Sequence, residues 1–351
     1  MSTPRELSPH LLAALQARDS WKHRDYSAAY DQAGEAAALA SEAQDQVSWW
    51  NMRYLQAECL RDQGSVLECM EVARTLAEHP LSSTTPQLAA RASTLLAVSL
   101  QGLGRLSEAA EAATSAASLV DGDSEHVYLH IQAQLALIAA LAESRLLDEA
   151  WHDCLILESL LTDDVDEDTA GKAYWVIGNV AFLGNRVLEG SRYHDLAAER
   201  LSPSKNVDIW ARFNRASAEM RLEARLGDAA TLRCIERAEL ATAVVGGTDR
   251  DLLEMSLVRA HWHYLTGEMS AAIRLLEPLC MQSAILAAQT AAEAYFLLGK
   301  ALLATGVASE SVHFFEEAAT LFDTAEASER SAAVRSFIAS VEGHRRHLQG
   351  G

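Results

Sequence analysis

Lys172 and Arg212 stand forty residues apart and Arg215 follows three later, in a chain of 351 residues whose formal net charge is −20. Cations at a fixed spacing in so acidic a chain could hold an anion. A guanidinium grips a carboxylate with two parallel hydrogen bonds, whereas an ammonium acts as a point charge. Arg91 falls on the same spacing, and Trp175, Asn179 and Phe182 share one helical face with Lys172. Toward the C-terminus the face turns acidic, with Glu219, Glu254 and Glu293. Two readings stay open: ordinary solvated side chains on a wet concave surface, or the lining of a groove that takes an extended peptide or anionic segment.

Other chemistry finds little support. His261 and His263 lie two apart on an expected helix and face different ways, so they do not make a metal pair. The acidic run from Asp163 to Asp168 invites a calcium reading, but Thr169 stands where an EF-hand loop needs glycine and Trp175 where it needs the closing glutamate. A solvated linker that places acids at the next helix start explains that run better. Gly102, Gly104 and the Gly246-Gly247 pair lack the strand–loop–helix setting of a phosphate loop. The five cysteines form no CxxC and are odd in number, which reads as packed thiols. Neither cofactor nor metal is expected, and no enzyme. The negative charge argues against direct nucleic-acid binding. No signal segment or membrane span is expected, and the reading is of a cytoplasmic protein.

The elements that must position these residues repeat. Small residues recur at Ala29, Cys69, Ala109, Ala150, Gly190, Ala230, Ala272 and Ser311, with gaps of 40, 40, 41, 40, 40, 42 and 39. Twelve residues before each stands Ala17, Ala57, Ala97, Ile138, Gly178, Ala218, Ala260 or Gly299, small in every case but Ile138. Chance amphipathicity does not recur in register. The clearest unit spans 290–322: Ala291, Ala294, Leu298 and Leu302 form one apolar stripe, Thr305-Gly306 breaks it, and Val312, Phe315, Ala318 and Phe322 form a second. Two helices joined so tightly pack antiparallel.

In that unit Tyr295, Leu298-Gly299 and Leu302, followed by Ser311, Phe315 and Ala318, resemble the tetratricopeptide-repeat pattern, with Leu302 in place of tyrosine and Ser311 in place of alanine. The period near forty resembles the longer modules of bacterial regulators, including peptide-sensing receptors. The resemblance implies an all-α, right-handed superhelical solenoid of eight antiparallel helix pairs, one domain over 1–351. Its units are 8–46, 46–80, 86–121, 126–161, 169–201, 207–245, 249–281 and 290–322, with a capping helix over 329–349. Within it, 81–85 reads as a linker and Pro278 is expected to shorten or kink its helix.

The implied function is a non-catalytic protein- or peptide-binding scaffold that uses its concave groove. The alternative is the sensor module of a bacterial signalling or transcription-regulating system, acting through a partner. The implied ligand carries an acidic group or a C-terminal carboxylate, and homodimer formation stays open. In the peptide receptors that this architecture resembles, inward asparagines grip the ligand backbone. That points to Asn179 and Asn214 beside Arg91, Lys172, Trp175, Phe182, Arg212 and Arg215.

Overall fold

A computed structural model describes residues 8–349, and among them eighteen α-helices and no strand occur. The chain divides into two compact units, Met1–Gly184 and Asn185–Gly351. The first holds α1 (Pro9–Lys22), α2 (Tyr26–Glu42), α3 (Gln46–Asp62), α4 (Val66–Ala77), α5 (Pro80–Thr84), α6 (Pro86–Gly102), α7 (Leu106–Leu119), α8 (Val127–Glu143), α9 (Leu147–Leu160) and α10 (Glu167–Leu183). The second holds α11 (Val187–Arg200), α12 (Val207–Glu223), α13 (Ala229–Val245), α14 (Asp249–Leu265), α15 (Met269–Met281), α16 (Ala288–Ala304), α17 (Ala308–Thr324) and α18 (Ser328–Gln349).

Within each unit a helix packs on its successor across a short turn, and that successor packs on the next first helix: α1 on α2 on α3 in the first unit, α12 on α13 on α14 in the second. First helices of successive pairs therefore run in the same direction. The small residues sit where paired helices cross. Ala17, Ala29, Ala57, Cys69, Ala260 and Ala272 are all fully buried, and the absent side-chain bulk lets the backbones approach. Ile138 is fully buried too, so its larger side chain is absorbed without leaving the pattern. One position shifts. In the sixth pair Ala230 is half-buried and Thr231 takes the buried place, because the turn between α12 and α13 covers 224–228 where the other pairs have three residues.

The turns explain another part of the sequence. Five residues before each small residue the backbone is left-handed, at Arg24, Gly64, Gly104, Arg145, Asn185, Arg225, Gly267 and Gly306, with φ from 58° to 87°. Glycine adopts that conformation freely, whereas a side chain there costs roughly 1–2 kcal/mol. Arg145→Gly is accordingly expected to stabilise the first unit by up to about 1 kcal/mol, after allowing for the glycine's greater unfolded-state entropy. A urea midpoint that fails to rise would count against this account of the turn.

One local expectation changes. The stretch 81–85, read as a linker, is largely helical. Proline opens α5, the His79 ring accepts from the Leu81 amide at 3.2 Å, and buried Ser82 accepts from the Trp50 indole at 3.1 Å. Pro278 lies inside α15, which ends soon after it at Met281 and has 13 residues against the 17 of α13 and α17. The acidic run ends as a helix start: Asp166 caps α10 by accepting from the amides of Asp168 and Thr169 at 3.1 and 3.0 Å. Hydrogen bonds from Thr169 hold its carboxyl below the usual range. All five cysteines are free and buried, and burial pushes the Cys59, Cys154 and Cys280 thiols up to about 12. Among the described residues no helix is long and apolar enough to cross a membrane.

Candidate functional site

The residues singled out by the repeat spacing reach different surroundings. In the first unit Arg91 donates to Asn51 Oδ1 at 3.0 Å, and its guanidinium lies 4.2 Å from the Tyr54 ring centre and 5.2 Å from that of Trp50. It closes an aromatic stack. On α10, Lys172 pairs with Asp168 one turn earlier, Trp175 and Asn179 are half-buried, and Phe182 is buried. In the second unit Arg212 is exposed on α12. Asn214 is fully buried and donates to the Trp210 carbonyl at 2.7 Å, so it faces the packed side and not a groove. Arg215 donates to Glu254 at 2.7 Å and lies 3.6 Å from Glu219, so carboxylates of the protein already match its charge.

Arg215 leads to the main concavity of the second unit, a cavity of about 620 Å³ between α12, α14, α16 and α18. Each helix contributes one stripe at three- and four-residue spacing. These are Arg215, Glu219 and Leu222 with Glu223 from α12, then Arg250, Glu254, Leu257, Val258 and His261 from α14. Thr290, Glu293, Phe296, Leu297 and Lys300 come from α16, and Arg330, Ala333, Val334 and Phe337 from α18. Because α12, α14 and α16 run in the same direction, like residues fall at like heights. The lining combines arginines and glutamates, an apolar belt, and the pair His261 and Lys300. Glu293 and Lys300 are two turns apart on α16, about 10 Å along the axis.

The lining arginines are matched by glutamates of the protein. Arg250 and Arg215 donate to the two oxygens of Glu254 at 2.8 and 2.7 Å, and Arg330 donates to Glu293 at 2.7 Å. Withdrawal from solvent into the concave wall, ahead of the neighbouring carboxylates, raises the Glu219 and Glu293 carboxyls, although Glu219 keeps 46% of its side-chain surface exposed. Burial, followed by the charge of Lys300, lowers His261 to about 4. His261 is therefore neutral at pH 7. Burial, followed by the like charges of Arg225 and Arg330, lowers the Lys300 amine. The ammonium rests 4.5 Å from the Phe296 ring centre and 5.3 Å from that of Tyr264. Phe296 in turn meets Phe337 edge-on at 5.7 Å, which makes an aromatic floor from α16 and α18. His263 points elsewhere and meets Glu268 at 2.9 Å.

The rule that marks Lys172, Trp175 and Asn179 counts back eighteen, fifteen and eleven residues from a small residue. Applied to Ala272 and Ser311, it selects Glu254, Leu257 and His261, and Glu293, Phe296 and Lys300, all of which line the cavity. Charge alone picked out the glutamates. Lys300, His261 and the aromatic floor carried the same spacing signal and were missed because their types alternate.

No protein-family model matches the chain, and no curated protein does. Among solved structures, a Rap protein complexed with competence and sporulation factor is similar at 10% identity, with a TM-score of 0.56 over 98% of this chain and 89% of that one. A tetratricopeptide repeat protein from Parabacteroides merdae aligns at 12% identity, over 81% of this chain and 98% of its own, with a TM-score of 0.49. The apo form of RapI aligns at 10%, over 97% and 99%, with a TM-score of 0.44. The recurring antiparallel pairs, their buried small residues and the likeness to the Rap protein together make this chain an all-α helical repeat with the tetratricopeptide-type fold.

Proposed function

We propose that the chain is a non-catalytic, cytoplasmic peptide-binding module, acting as the sensor of a regulatory system. The observation that carries this reading is the repeat itself: first helices pack side by side, α6 on α8 in the first unit and α12 on α14 in the second, so their equivalent residues line a common face within each unit. The Rap protein with a similar fold was crystallised with a bound factor, which supports a ligand on such a scaffold. Arg91 and Asn214 drop out, the first through its aromatic stack and the second through burial. Within the second unit Arg212 remains assigned to the acidic group of the peptide; within the first, taken by itself, Lys172, Trp175, Asn179 and Phe182 remain candidates.

The test is retention of an equimolar mixture of randomised pentapeptides, read by native mass spectrometry at two salt concentrations. Peptides rich in acidic residues are expected to be held and to weaken with salt, since a partly exposed groove is screened. Arg212→Ala is expected to weaken them by about 1–3 kcal/mol, and Arg212→Lys to restore part of the loss. A protein that retains none of the mixture is not a peptide module. Unchanged affinity in Arg212→Ala removes that residue from the site.

A further inference from the structure

The cavity walls contain no asparagine or glutamine. Its belt is Leu222, Leu257, Val258, Phe296 and Phe337. A peptide backbone laid there would lose water from its N–H and C=O groups and gain no partner for them, which is costly in an apolar setting. The belt suits a ligand without amides. A volume of about 620 Å³ also falls within the range of roughly 300–1,000 Å³ usual for small-molecule sites.

The charges decide the head group. Arg215, Arg250 and Arg330 each have a glutamate of the protein at 2.7–2.8 Å. Lys300, alone among the lining cations, has no carboxylate within ion-pair reach among the described residues, only the two rings. It is half-buried, and the repulsion of Arg225 and Arg330, only partly offset by the more distant Glu293, makes an anion beside it favourable. The four lining glutamates disfavour a doubly charged group such as phosphate. Glu223 is exposed and solvated, so it creates no matching demand for a cation.

We propose that this cavity binds a small apolar monocarboxylate, its hydrocarbon or aryl body filling the belt between α12, α14, α16 and α18 and its carboxylate meeting Lys300. The site stands independently of the peptide reading, since neither its walls nor its anchor include Arg212 or the residues of α10.

Titration calorimetry of the full chain with decanoate, decan-1-ol, decylamine and acetyl-Gly-Gly-Phe tests it. Decanoate is expected to bind at least about tenfold more tightly than the alcohol or the amine, the worth of one charge-assisted hydrogen bond. Lys300→Met is expected to remove that preference while leaving the affinity for decan-1-ol, and Lys300→Arg to keep it. Ala333→Trp, at an exposed lining position, is expected to fill the cavity and abolish binding without lowering the melting temperature. The chain has only four lysines, at 22, 172, 205 and 300. In the unaltered protein, decanoate should therefore protect Lys300 alone from acylation, a readout that does not depend on how the variants fold. Equal affinity for acid and alcohol, tighter binding of the acetylated tripeptide, absence of any binding, or no selective protection would each overturn the assignment.

Discussion

Gly299→Leu is expected to destabilise the second unit more than Leu298→Ala, itself a core truncation worth about 2–5 kcal/mol. A Cβ on Gly299 would lie 2.6 Å from Cε1 and 2.7 Å from Cδ1 of Phe315, closer than any van der Waals contact. The ring cannot swing aside. Phe315 is fully buried and is held edge-on by Phe296 at 5.6 Å and by Phe337 at 5.2 Å. Even alanine must therefore force α16 and α17 apart, a cost of about 1–3 kcal/mol, and leucine adds three more heavy atoms to the same gap. Leu298 is fully buried on the adjoining stripe, so its truncation leaves a cavity while the substitution at Gly299 overfills one. Urea denaturation of both variants reads the order directly. If Gly299→Leu melts like the parent protein, the two helices do not cross at that residue and the register drawn for the whole repeat is wrong.

The same pair shows why the fold could be read before the site. Close approach of two helices demands a missing side chain at a fixed place on each, and that demand recurs whatever ligand the protein takes. Gly299 and Ser311, Ala260 and Ala272, and Ala17 and Ala29 could therefore be found by spacing alone. Thr231 escaped because the 224–228 turn adds residues between the two helices, and spacing cannot register an insertion before the turn is known. The site depends on pairings that cross helices. Arg215 is a cation in the sequence, yet Glu254, thirty-nine residues later, accepts from it at 2.7 Å. Arg221, almost fully buried, is likewise met by Asp195 at 2.6 Å from an earlier helix. Neither match is visible without the packing. Lys300 is the opposite case, a single lysine in an apolar stripe whose interest lies in a carboxylate that the fold does not bring.

Removal of residues 328–351 is expected to make the second unit self-associate and to cost it several kcal/mol. Val334 is buried against Phe315, Ala319 and Phe322, and Phe337 and Ile338 pack on the same cluster. A fully buried side chain of this size contributes about 1.5–3 kcal/mol, so the loss of Val334 with the two partly buried neighbours exceeds what most single substitutions remove. The open flank of a repeat pair needs a cover, and a helix with a polar outer face supplies one. α18 meets that need: its inner side carries Val334 and Phe337, while Ala332, Arg335, Ser336 and Ser340 are exposed. Arg330 with Glu293 and Arg335 with Asp323 fix it to α16 and α17. Without it Phe296, Phe315 and Phe322 would face water together, an apolar patch of the kind that draws copies into contact. Light scattering after gel filtration distinguishes the outcomes, and Val334→Asp in the full chain should reproduce the association with no residue removed. A truncated protein that stays monomeric and as stable as the parent would show that α18 covers nothing essential. Its place beside the cavity would then belong to ligand binding alone, and Ala333→Trp would remain a test of that role with the helix still in position.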